Sequence, residues 1–120
     1  MRTYKNLKVY KKSFDLSMLL FEITKTFPKE ERYSLVDQIR RSARSVTACI
    51  AESHQKRRYP NHFISKLTDA DMECAETGVW LDYAFDCKYI DTNTYNDLIE
   101  QCEEIGKLLG YMINNYQKFL

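Results

Sequence analysis

Two basic runs are the groups in this sequence best suited to binding chemistry. Arg40, Arg41 and Arg44 fall within five positions, and Lys56-Arg57-Arg58 follows with Tyr59 beside it. Guanidinium forks match phosphate oxygens, and an aromatic next to cations suits an unpaired base. Both runs are therefore candidate nucleic-acid contacts. Each also has a purely structural reading. Asp37 precedes Arg40 and Arg41 by three and four residues, the spacing of an ion pair along a helix. Cations just after a helix favour its negative C-terminal dipole. Lys5, Lys8, Lys11 and Lys12 would join the second run only if the fold brought the start of the chain beside it.

Catalytic constellations are hard to assemble from what remains. His54 and His62 are eight residues apart, with Glu52 near in sequence and Glu73 on another stretch. A metal needs three or four converging ligands, and no spacing here supplies them, so neither metal nor other cofactor is expected. Cys49 and His54, five positions apart, do not share a helix face, which argues against a thiol–base pair. The four cysteines, at 49, 74, 87 and 102, include no CxxC pair, so reduced and mostly buried thiols are expected. No glycine-rich phosphate loop occurs. Glu52 is expected to make a buried or interfacial hydrogen bond rather than to act as a base. The chain is not expected to be an enzyme.

The elements that must carry these residues follow from composition and periodicity. One hundred and twenty residues suit one domain, 1–120. Three glycines and two prolines are too few for a turn-rich β fold. A first helix is predicted over about 7–26, with one apolar row at Tyr10, Phe14, Met18 and Phe21 and a second at Leu16, Leu20, Ile23 and Phe27. Pro28 then suits the first position of a second helix, about 29–54, whose stripe is Leu35, Ile39, Ala43, Val46 and Ile50. Ser42, Cys49 and Ser53 beside that stripe allow close helix approach. Pro60 opens a third helix over about 60–86, with a seam at Phe63, Leu67, Ala70, Cys74, Thr77, Leu81 and Ala84. Asp91 is a good N-cap for a fourth, about 92–119, with Ile90 and Tyr95 spaced as a hydrophobic staple. Its seam of Tyr95, Leu98, Cys102, Ile105, Leu109, Met112, Tyr116 and Phe119 alternates three and four without a break, a left-handed bundle pattern. Four such helices with short connections predict an all-α, up-down-up-down antiparallel four-helix bundle, left-handed.

Charge and aromatic content bear on partners. Net charge is only +1, yet residues 1–66 sum to +9 and residues 67–120 to −8. Such a split suits internal packing, head-to-tail pairing of subunits, or a nucleic-acid surface. Nine tyrosines, six phenylalanines and Trp80 exceed what one small core holds, so some rings should face outward and a subunit interface is expected. No run of 18 apolar residues is present, which predicts no membrane span. Met1 to Lys12 lacks the apolar core of a signal peptide, so a cytoplasmic location is expected.

The run Phe27-Pro28-Lys29-Glu30-Glu31-Arg32-Tyr33-Ser34-Leu35, then Gln38-Ile39-Arg40-Arg41-Ser42, Ser45-Val46 and Ile50-Ala51-Glu52, resembles the family of 23S ribosomal RNA intervening-sequence proteins. Leu7-Lys8-Val9-Tyr10 and Phe63-Ile64-Ser65-Lys66-Leu67 are similar to that family's opening motif and third-helix start. Gln38, Ser42, Ser45 and Glu52 are the signature positions. The resemblance implies a four-helix bundle, a homopentameric ring and no enzymatic activity. In some relatives it implies binding to a reverse transcriptase and to RNA or DNA, and no small-molecule substrate. The sequence departs from the family run Asn-Ile-Ala-Glu-Gly, reading Cys49-Ile50-Ala51-Glu52-Ser53. The departure removes an amide and a flexible helix end.

Overall fold

The computed structural model describes residues 3–120, and among them there are helices and turns but no strand. Four α-helices follow one another: α1 (Lys8–Thr24), α2 (Leu35–Gln55), α3 (Pro60–Asp86) and α4 (Thr92–Asn114). Each packs on its chain neighbours, and α1 also packs on α4, so α1 and α3 stand at diagonal corners of the bundle. Ser13 and Thr24 of α1 meet Thr47 and Arg40 of α2. Ser42 and Glu52 of α2 meet Thr77 and Lys66 of α3. Cys74 and Asp82 of α3 meet Cys102 and Tyr95 of α4. In every pair one number falls as the other rises, so consecutive helices run in opposite directions. The molecule is 44 Å long and 24 by 23 Å across. No helix among the described residues is long and apolar enough to cross a membrane.

The seams of α2 and α3 are buried at every position their periodicity names. In α4 the positions from Leu98 to Met112 are buried, and Tyr95, Tyr116 and Phe119 are half-buried against the same core. The first helix is different. Leu16, Leu20 and Phe27 of its second row are buried, but Phe14 and Met18 of the first row are 46% and 47% exposed. Val9, Ser13, Ser17 and Thr24 take the inner positions instead. The hydroxyls tolerate burial because each donates to a carbonyl of the preceding turn: Ser13 to Tyr10 at 3.0 Å, Ser17 to Phe14 at 2.7 Å and Thr24 to Leu20 at 2.7 Å.

Several helix ends fall away from their predicted places. The second helix begins at Leu35 rather than residue 29, because Pro28 leads into a 3-10 turn at Lys29–Glu31. Among residues 29–34 none is buried, and a helical turn without packing has little to hold it. The first helix stops at Thr24, two residues early, as its last carbonyls are taken up in single turns by Lys25, Thr26 and Phe27. The fourth stops at Asn114. The Asn115 side chain donates to the Tyr111 carbonyl at 2.9 Å, and the chain continues as a 3-10 turn, Tyr116–Phe119, which folds two rings onto the core. Asp91 caps α4 as expected, accepting from the Thr94 N–H at 2.8 Å. At the end of α3 the Lys88 N–H donates to Phe85 and the Tyr89 N–H to Ala84, a Schellman closure. It places Lys88 at φ 64°, a conformation glycine usually takes.

Candidate nucleic-acid interface

The six candidate cations lie in two separate places along α2. Arg40, Arg41 and Arg44 are in its first half, and Lys56, Arg57 and Arg58 follow its last turn. Fifteen residues of helix part Arg41 from Lys56, about 22 Å at the usual rise. The two runs therefore do not form one surface within a protomer.

Arg40 serves the fold. Its Nε donates to Thr24 Oγ1 at 2.9 Å and its guanidinium reaches the Phe21 carbonyl at 3.2 Å, so it closes the C-terminus of α1. Its guanidinium also lies 4.6 Å from the centre of the Phe21 ring, and that of Arg44 lies 5.7 Å from it. Arg41 donates to the Gln38 side chain at 3.3 Å. The expected pairing with Asp37 is not made. Among the described residues these arginines have no carboxylate at salt-bridge distance, because the four ion pairs present use lysines.

The second run sits where the fold gathers three segments. Arg57 Nε donates to the His54 carbonyl at 2.9 Å and caps α2, while Lys56 and Arg58 are exposed. The Tyr4 ring lies 6.3 Å from that of His54, so the start of the chain abuts the end of α2. A cleft of about 350 Å³ here is lined by Leu7, His54, Arg57, Lys118 and Phe119 among others. Lys5 and Lys8 stand exposed at the start of the chain; the Lys8 charge acts on Glu104 of α4, which Lys12 meets at 2.7 Å. Residues 3–8, 54–59 and 115–120 contain no Asp or Glu. Lys118 is the cation that sequence reasoning passed over. An up-down path signals it, since the fourth helix must end beside the end of the second.

His54 is buried, and among the described residues its Nδ1 has no hydrogen-bond partner. Burial holds the imidazole below its ordinary value, and the Arg57 charge acts in the same direction. His62 is exposed beside Tyr59, so the two histidines do not converge. No group of three His, Cys, Asp or Glu among the described residues is placed to hold a metal ion. Cys49, Cys74 and Cys102 are buried and Cys87 is exposed, all as free thiols. Cys74 donates to the Cys102 carbonyl at 3.3 Å; its neighbouring sulfur and burial push the Cys102 thiol up. Burial likewise raises Cys49.

The family model for 23S rRNA-intervening sequence proteins matches residues 5–111. The chain belongs to that family. Among solved structures it is similar to a protein of unknown function from the S23 ribosomal protein family of Bacteroides thetaiotaomicron VPI-5482, determined at 1.70 Å resolution. The two are 31% identical, the match covers 88% of this chain and 95% of that one, and the TM-score is 0.81. No curated protein matches the chain.

In this 23S rRNA-intervening sequence protein, two of the four signature positions serve the contact of α2 with α3 and two stay within α2. Ser42 is buried and accepts from Thr77 Oγ1 at 2.9 Å. Glu52 is exposed rather than buried, and its carboxylate stands 3.7 Å from Lys66 Nζ. Ser45 lies 4.0 Å from the Cys49 sulfur, and Gln38 holds Arg41. At the two departures, Cys49 is buried and Ser53 fully so, its hydroxyl donating to the Ile50 carbonyl at 2.7 Å. The helix runs on through Ser53 to Gln55, so the position where the family has glycine is no helix end here.

Proposed function

We propose that this chain is a non-catalytic subunit of a cytoplasmic homo-oligomer, with five copies favoured, whose basic end engages nucleic acid or an enzyme that acts on nucleic acid. The observation that carries the reading is that Lys5, Lys56, Arg57, Arg58 and Lys118 belong to three segments that meet around one cleft at one end of the bundle, with Arg57 and Lys118 lining it. The number of copies is what the resemblance carried by the helix-two signature implies. Cations from several subunits would add into one broad surface, giving affinity with little sequence preference. Phosphate contacts release counterions, so affinity should fall steeply with salt. The test is a fluorescence-anisotropy titration with single-stranded RNA and DNA at two salt concentrations, repeated with Lys56→Glu/Arg58→Glu. Tight binding at low salt, lost at high salt and in the double variant, is expected. No binding at low salt, or binding indifferent to salt, would overturn the nucleic-acid part.

A second reading is a protein-interaction module in which the charge split serves assembly alone. It draws on Arg41 and Arg44, exposed beside the outward rings of α1 with no carboxylate at salt-bridge distance. Arg41→Gln/Arg44→Gln separates the two. Dissociation of the oligomer in a protein that binds no RNA at low salt favours the second reading, and RNA binding kept by this variant but lost in Lys56→Glu/Arg58→Glu favours the first.

A further inference from the structure

The α3–α4 face carries an open apolar groove of about 430 Å³. Its floor is low because Ala75, Gly78 and Gly106 lie there, and Val79, Ile99 and Tyr95 flank it. A Cβ added at Gly78 would meet nothing within 4 Å, so the space above that residue is free. Val79 is exposed, and Met72, two turns earlier on α3, is 70% exposed. The rim is acidic. Asp71, Asp82 and Glu103 line it; among the described residues none is in an ion pair, and only Asp82 receives a hydrogen bond, from the Tyr95 hydroxyl.

The opposite side of the bundle, where α1 meets α2, has the converse character. Phe14 and Met18 are exposed on α1, flanked along the same row by half-buried Tyr10 and Phe21, with the Tyr10 and Phe14 rings stacked 6.1 Å apart. Around this ridge stand Lys11, Lys25, Arg40, Arg41 and Arg44, of which, among the described residues, only Lys25 is ion-paired, to Glu22. Asp37 is the neighbouring carboxylate on α2. A patch of this kind is uncommon on a protein that stays alone in water. One face thus offers an apolar ridge bordered by cations, and the other an apolar groove bordered by carboxylates.

We infer that the α1–α2 ridge of one copy seats in the α3–α4 groove of a second copy. The occupant is fixed by this complementarity of shape and charge, which orients the pair and rejects ridge-to-ridge and groove-to-groove contacts. The contact is heterologous: each copy uses one face and leaves its other face for a further copy, which is the geometry of a ring. It leaves the basic end of every subunit uncovered. The inference rests on the oligomeric part of the proposed function and names the surfaces that build it.

Two variants test it. Gly78→Trp fills the groove and spares the ridge; Phe14→Asp/Met18→Asp spoils the ridge and spares the groove. Both changes are at sites open to solvent, and circular dichroism checks that each stays helical. Light scattering of each variant alone should give the 14.3 kDa protomer. Mixed in equal amounts, they should give twice that mass and nothing larger, since one sound ridge meets one sound groove. Asp71→Lys/Glu103→Lys, which changes only exposed rim charges, should also dissociate the wild-type assembly and serves if either first variant fails to fold. Variants that stay assembled like the wild type, or a mixture that stays monomeric, would overturn the inference while leaving the oligomer intact. A wild type that is itself monomeric would overturn the oligomeric reading as well.

Discussion

α1 and α3 face each other across the bundle and meet the core in different ways. α3 sends a single row inward, from Phe63 to Ala84, in which only Thr77 is polar. α1 has two apolar rows and buries only one of them. Its inner face mixes Val9, Leu16 and Leu20 with Ser13, Ser17 and Thr24, while Phe14 and Met18 look outward. The difference shows that apolarity does not decide alone which face of a helix turns in. Small hydroxyl residues that can satisfy themselves on their own helix let α2 approach, and larger rings are then left at the seam. A helix that keeps an apolar row outside when its inner row suffices has that row available for something else.

The largest effect should come from truncating the two rows of α1 separately. Leu20 is fully buried, so Leu20→Ala should destabilise the protomer by about 2–5 kcal/mol. Phe14→Ser should cost less than about 0.5 kcal/mol in the folding of one protomer. Any further loss at Phe14 should grow with protein concentration, as interface energy does. Urea unfolding at two concentrations measures both. Equal costs for the two substitutions would mean that the rows are not inner and outer.

The two helices also close their C-termini differently. α1 borrows the Arg40 guanidinium, which bonds Thr24 Oγ1 and the Phe21 carbonyl. Thr24→Val should therefore cost about 1–2 kcal/mol, and a double-mutant cycle with Arg40→Met should show coupling of at least about 0.5 kcal/mol. Simple additivity would detach Arg40 from this role and return it to the free cations. α3 closes on its own backbone at the expense of Lys88 in the left-handed region. Lys88→Gly should stabilise the protein by about 0.5–1 kcal/mol, raising the thermal midpoint, and an unchanged or lower midpoint would show that Lys88 is not strained.

How far this was legible in the residues varies by helix for physical reasons. Periodicity marks positions that share a face, and where a helix has a single apolar row, as α3 has, that face must be the buried one. In α1 two rows competed, and the choice depended on serine and threonine side chains whose bonds exist only once the helix forms. The start of α2 at Leu35 was hidden because Pro28 and two glutamates satisfy every local rule for a helix start, while the absence of packing for residues 29–34 is a tertiary fact. The basic end was foreseeable only as a condition on the path of the chain. The commitment of Arg40 to α1 was not foreseeable, since nothing local distinguishes it from Arg44.

The smallest expected effect sharpens the contrast among buried polar groups. Ser13, Ser17 and Thr24 have partners, whereas His54, packed under Tyr4, lacks one at Nδ1 among the described residues. Burial first, and Arg57 second, hold its folded-state value below the ordinary 6.5. With the folded value depressed, the unfolded chain binds the proton more readily. Stability is then complete above about pH 7 and declines as the pH falls through 6.5 towards the depressed value. Denaturant midpoints should therefore drop between pH 7.5 and 5.5 in the wild type and in the exposed-site control His62→Gln. The drop should be smaller in His54→Leu. If His54→Leu keeps the full drop, some other group carries the pH dependence, and the unmet imidazole is tolerated in either protonation state.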